Sequence, residues 1–105
     1  MRIDPHEAAF TEIHAATIAV IHAAGFTGYS RGHFGHSLGA DVGMEEWPFL
    51  SADSTELVES GMVLAFETPF YGKGIGALMI EDQLLVTEAG PVSMNRLPRG
   101  LTRID

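Results

Sequence analysis

The sequence contains no cysteine. Disulfides and thiolate zinc sites are therefore excluded, and a cytoplasmic location fits. Basic residues are scarce, six Lys and Arg against 14 Asp and Glu, for a formal net charge of -8. Phosphate backbones need a basic surface, so no nucleic acid partner is expected. No run of eighteen apolar residues occurs, so no membrane span is expected. The opening MRIDPHEAAF lacks the basic-then-apolar layout of a signal peptide. A phosphate loop is also missing, since the glycines near residue 35 are not followed by Lys-Ser or Lys-Thr.

What remains is a chain of 105 residues, 46% apolar, enough for one domain with a core. A chain this short buries proportionally less surface than a longer one, which favours a partner subunit. The acidity is uneven. From Asp41 to Glu67 there are seven acids and no base, while the last eleven residues carry Arg96, Arg99 and Arg103.

The clearest expected element is a helix over about residues 5–24. Asp4 is placed to cap it, Pro5 suits the first helical position and Glu7 has capping-box spacing. Phe10, Ile13, Thr17, Val20 and Ala24 recur at three and four, predicting a buried stripe, and Gly25 is a natural stop. His6, His14 and His22 are each eight apart, about 80° around the axis, so they do not converge on one site.

Short strands are expected around YSRGHFGH and SLGADVG, and WPFLSADSTELVESG reads as a loop with one turn of helix. GMVLAFETPFY alternates as a strand, YGKGIG as a hairpin connection, and ALMIEDQLLVTEAG as a second strand bent at Asp82-Gln83. Residues 91–105 form a tail with a short helix or an edge strand. The fold class is α+β, one N-terminal helix followed by mostly antiparallel strands in a single domain over 1–105.

Glu67 and Glu81 lie within these apolar strands. A buried carboxylate needs a compensating partner. With His36 they supply one nitrogen and two carboxylates, a donor set for Mn, Co, Zn or Fe that leaves positions open for water or substrate. The alternative is that both carboxylates face solvent or pair with Arg31 or Lys73. His33, three residues before His36, is a further candidate within RGHFGHSLG.

Three segments in order, GHSLGADVGMEEWP, ESGMVLAFETPFY and MIEDQLLVTEAG, together resemble metallopeptidase family M24. This family includes methionine aminopeptidases, aminopeptidase P, prolidase and creatinase. The resemblance implies the C-terminal half of a pita-bread fold, with the strand-rich region from His36 to Gly90 carrying metal ligands. It implies that His36, Glu67 and Glu81 are three ligands of a dinuclear divalent centre that activates water against an amide carbonyl. Glu67, Glu81 and His33 are then the catalytic candidates, and peptides or other small amides the substrates.

Three departures qualify this. The family's two ligand aspartates are expected upstream of the Gly-His segment, where only 35 residues stand and Asp4 reads as a helix cap. Gly43 stands where family peptidases carry a substrate-contacting histidine; His33 is a candidate replacement, the alternative being that it packs or bonds within the loop. Met79 also replaces an expected arginine. The expectation is an M24-like fragment of the Xaa-Pro aminopeptidase or dipeptidase kind, inactive alone, with a divalent metal bound only if a site survives. The alternative is a non-catalytic module that forms a homodimer, or joins a complementary N-terminal half, through an exposed apolar seam.

Overall fold

A helix, α1 (Phe10–Ala23), leads into seven strands in the computed structural model, which describes residues 8–41 and 43–104. The strands are β1 (His33–Leu38), β2 (Glu46–Ser51), β3 (Val63–Glu67), β4 (Phe70–Gly72), β5 (Gly76–Leu78), β6 (Glu81–Thr87) and β7 (Gly90–Ser93). Five form an antiparallel sheet in the order β2-β1-β3-β6-β7, and β4 and β5 pair as a separate hairpin. The expected α+β class, one helix before antiparallel strands, is what the described residues form.

The helix begins later than its sequence signals indicate. Asp4, Pro5 and Glu7 lie outside the described residues, and Ala9 is the N-cap in extended conformation. Non-local pairing explains the delay. The Phe10 N–H donates to Glu56 O, the Val58 N–H donates to Ala8 O, and Ala9 bridges Leu57. The Ala9 N–H also donates to the Glu12 carboxylate at 3.1 Å, half of a capping box. Gly25, at φ 108°, ends the helix as expected.

Phe10, Ile13 and Thr17 are buried against β1 and β2, as the stripe requires. Val20 departs from it, at 67% exposure, and Ala24 is also exposed. Ile21 packs on the core instead and lines a hollow with Phe26, Tyr29 and Pro69. His14 and His22 do not converge. Their Nε2 atoms bond Arg31 O at 2.9 Å and Tyr29 O at 2.8 Å, clamping the segment before β1 onto the helix.

The strands differ from expectation in four places, the first being that GMVLAFETPFY breaks at Thr68-Pro69 into β3 and β4. WPFLS is strand β2, not loop, and tolerates Pro48 because β2 is an edge strand where a missing N–H breaks no ladder. The two short strands expected across residues 29–43 are one strand, β1. The break in the last strand region falls at Met79-Ile80, between β5 and β6, rather than at Asp82-Gln83. Within the tail, β7 is an edge strand and residues 94–104 have no regular structure.

Alternation separates the sheet into two faces. Leu64 and Val86 join Phe10, Ile13, Phe34, Leu50 and Val58 in the core beneath α1. Ala65, Glu67, Glu81 and Gln83 take the opposite face, by their alternation with Leu64 and its partner Leu84.

Candidate metal centre

In a regular strand Phe34 and His36, two residues apart, would share a face. Here Phe34 is in the core, while His36 aligns with Ala65 on the other face. The register of β1 against β2 shifts between His33 and His36, and Gly35 sits inside that irregularity at φ 140°. A Cβ at Gly35 would lie 1.8 Å from Ala65 O, so only glycine lets the two backbones meet here. This close approach is the physical basis of the Gly-His pair in the sequence.

Glu67 follows Ala65 by two residues on the same face and lies directly opposite Glu81 in the β3–β6 register. His36 is therefore a diagonal neighbour of Glu67. The three side chains offer donor atoms all within 4.8 Å of one another. His36 is 8% exposed and Glu67 7%, whereas Glu81, at the open start of β6, is exposed.

The two carboxylates are not independent. Hydrogen bonding with the Glu81 carboxyl lowers the Glu67 pKa, and the Arg31 guanidinium lowers it further, outweighing burial. The same hydrogen bond raises the pKa of Glu81, helped by partial burial and the nearby Glu67 charge. Arg31 Nη2 donates to Glu67 Oε1 at 2.8 Å. Pairing with Arg31 and proximity to His36 and Glu81, alternatives from the sequence, thus coexist at Glu67.

The histidines differ in which lone pair is free. His36 Nδ1 lies 3.0 Å from Ser37 O, and a carbonyl oxygen only accepts. Nδ1 therefore carries the hydrogen and Nε2 keeps its lone pair, the arrangement a metal-ligating histidine needs. His33 is the reverse. Its Nδ1 accepts the Gly35 N–H at 3.1 Å, which leaves the hydrogen on Nε2, 4.0 Å from Glu45 Oε2. His33, Glu45 and Glu67 also bring donor atoms within 4.8 Å of one another, but in this state His33 is a hydrogen-bond donor, not a ligand.

Glu45 was not read as a site feature from the sequence, whereas Arg31 was expected only as an alternative partner of the carboxylates. Arg31 is 36 residues from Glu67, and Glu45 stands in an acidic run with no local periodicity. Glu46 orders the preceding loop by accepting the Ala40 and Asp41 N–H groups, each at 2.8 Å. Gly43 is exposed at φ 76° and brings no side chain to the site. Met79 is also exposed, at 56%.

A histidine with a free nitrogen lone pair and two facing carboxylates, on the open face of an antiparallel sheet, fit a divalent cation in a hydrolytic centre. The sequence profile of metallopeptidase family M24 matches residues 2–88, and the chain belongs to that family. It is 35% identical over 82 residues to a putative dipeptidase, YkvY, of Bacillus subtilis, covering 78% of this chain and 22% of the relative. Its identity to the Xaa-Pro dipeptidase of Pyrococcus horikoshii is 38% over 71 residues, 66% of this chain and 20% of the relative. Among solved structures it resembles dipeptidase PepE of Mycobacterium ulcerans, with a TM-score of 0.82 and 30% identity over 94% of this chain and 26% of that one. The prolidase of Pyrococcus furiosus gives a TM-score of 0.80 and 27% identity, covering 92% and 28%. The chain thus spans about a fifth of the length of these curated relatives. The fold is that portion of the pita-bread fold.

Among the described residues, neither donor group includes an aspartate. No helix among them is long and apolar enough to cross a membrane.

Proposed function

We propose that this chain supplies His36, Glu67 and Glu81 as ligands of a divalent metal centre for amide hydrolysis of the Xaa-Pro dipeptidase kind. The observation that carries the reading is the convergence of the three donor sets within 4.8 Å on the face away from the helix. The metal, Mn, Co, Zn or Fe, would supply Lewis acidity toward an amide carbonyl and toward water. His36 donates Nε2, and its Nδ1–H is anchored on Ser37. Glu67 and Glu81 offset the cation's charge and orient the nucleophile. His33, with its Nε2–H beside Glu45, is the group placed to donate a hydrogen bond to a bound carbonyl oxygen. A cytoplasmic setting and peptide substrates belong to the same reading.

Three ligands leave a metal site open on one side, so the 105-residue chain by itself is expected to bind metal without turning over peptide. The test is a titration with Mn²⁺ and Co²⁺ beside an assay on an Xaa-Pro dipeptide. Saturable binding without turnover is the expected result. Failure to bind either ion near neutral pH removes the metal centre. Hydrolysis that disappears in Glu81→Ala overturns the inactivity.

A second reading rests on the β4–β5 hairpin and the link after it. Tyr71, Ile75, Leu78 and Met79 are 68%, 69%, 56% and 56% exposed. Apolar groups held open on a projecting hairpin favour a covering partner, either a second copy or a complementary half-fold. Light scattering that returns a clean monomer of 11.3 kDa removes the homodimer form of this reading.

A further inference from the structure

We infer that Arg31 is a positioning residue for the metal site, holding Glu67 as a ligand that turns one oxygen toward the cation. The inference rests on the reading of His36, Glu67 and Glu81 as metal ligands. Arg31 Nη2 donates to Glu67 Oε1 at 2.8 Å, with side-chain exposures of 21% and 9%, so the pair is largely shielded from water. One carboxylate oxygen is thereby occupied by the guanidinium. The other oxygen is left to the side of His36 and Glu81, where a cation would take it.

The rest of the fold delivers Arg31 to this position. His14 Nε2, on α1, donates to Arg31 O at 2.9 Å, and the His14 ring lies against Phe34 at 5.1 Å between centroids. Two residues earlier, Tyr29 is held at both ends. His22 bonds its carbonyl at 2.8 Å, and its own hydroxyl donates to Pro69 O at 2.5 Å, two residues beyond Glu67. The segment carrying Arg31 is thus pinned to the helix on one side and to the end of β3 on the other. The Arg31 Nε is buried without a partner, so the guanidinium does not owe its place to saturating its own donors. The Glu67 contact holds it.

A purely structural role would be to neutralise a buried carboxylate. A positioning role also sets the geometry of the cation. Removing the guanidinium frees Glu67 to rotate or to chelate through both oxygens, and loss of such an outer partner typically weakens metal affinity about 10–100-fold. Arg31→Lys keeps the charge but not the planar fork, so it should recover part of that loss.

The experiment is a Co²⁺ titration of the full 105-residue chain, followed by visible absorption, for wild type, Arg31→Lys and Arg31→Met. Far-UV circular dichroism shows whether each is folded. The expected result is affinity ordered wild type, then Lys, then Met, a total loss of about 10–100-fold, and a changed Co²⁺ band shape in Arg31→Met. Equal affinities and identical spectra in folded variants overturn the inference while leaving the metal centre standing. Tighter binding by Arg31→Met also overturns it, because Arg31 would then compete with the cation. If Arg31→Met does not fold, Arg31→Lys with wild-type affinity and spectrum overturns it. A wild-type chain that takes up no Co²⁺ overturns both this inference and the reading beneath it.

Discussion

Glu67 and Glu81 stand directly opposite each other on adjacent antiparallel strands, with carboxylate oxygens within 4.8 Å of each other and of His36. Two carboxylates at one cross-strand pair repel when both are ionised. Arg31, bonded to Glu67, and the nearby His36 offset that repulsion, and the raised pKa of Glu81 favours its protonated form. In the proposed centre a divalent cation would balance the same two carboxylates.

Exchange of Glu81 for glutamine should separate folding from binding. Glu81 has a raised folded-state pKa, so its protonated form is the one the metal-free fold favours. Its contribution is present below the unfolded-state pKa and is lost as pH rises through the raised value. Glu81→Gln mimics the protonated form. The variant should therefore match wild type in thermal stability at low pH and exceed it at neutral pH and above, in the presence of a chelator. Its Mn²⁺ affinity should fall at least about tenfold. A melting curve lower than wild type at neutral pH would contradict the preference for a protonated Glu81.

The two histidines of RGHFGHSLG should respond differently. His36 keeps the Nε2 lone pair, whereas that of His33 Nδ1 is taken by the Gly35 N–H. His36→Ala should weaken Co²⁺ binding by more than about 100-fold, beyond what loss of an outer partner does, and His33→Ala by no more than about threefold. Calorimetric titration of both variants measures this. Comparable losses would place His33 in the ligand set as well.

Gly35 and Gly39 both have positive φ, 140° and 136°, but only Gly35 is crowded. Gly35→Ala forces a Cβ into Ala65 O and should destabilise by roughly 3–5 kcal/mol, enough to threaten folding. Gly39→Ala meets no atom within 4 Å and carries backbone strain alone, about 1–3 kcal/mol. Urea denaturation of the two variants compares them. Equal effects would mean that the close approach of β1 and β3 is not the constraint.

The buried face of α1 can be mapped by truncation. Ile13, 4% exposed, should lose about 2–5 kcal/mol on replacement by alanine. Val20, 67% exposed, should change stability by less than about 0.5 kcal/mol. Denaturation midpoints decide between this face and the longer stripe expected from spacing.

Much of the fold was legible because local signals agree with it. Alternation in VLAFE places Leu64 in the core and Glu67 on the other face, and Gly25 ends the helix where expected. The misreadings have tertiary causes. Pro48 argues against a strand until β2 is known to be an edge. The helix expected from about residue 5 begins at Phe10 among the described residues, where residues 8 and 9 are drawn into pairing with the segment at 56–58.

By itself the sequence determined the family, the antiparallel α+β plan and the candidates His36, Glu67 and Glu81, because spacing and residue type are properties of neighbours along the chain. Only the tertiary structure decided that Glu67 faces Glu81, that Arg31 holds Glu67, and that Glu45 comes up to His33. Strand register and charge pairing join residues far apart in sequence, and folding selects them through packing and burial rather than through any local pattern.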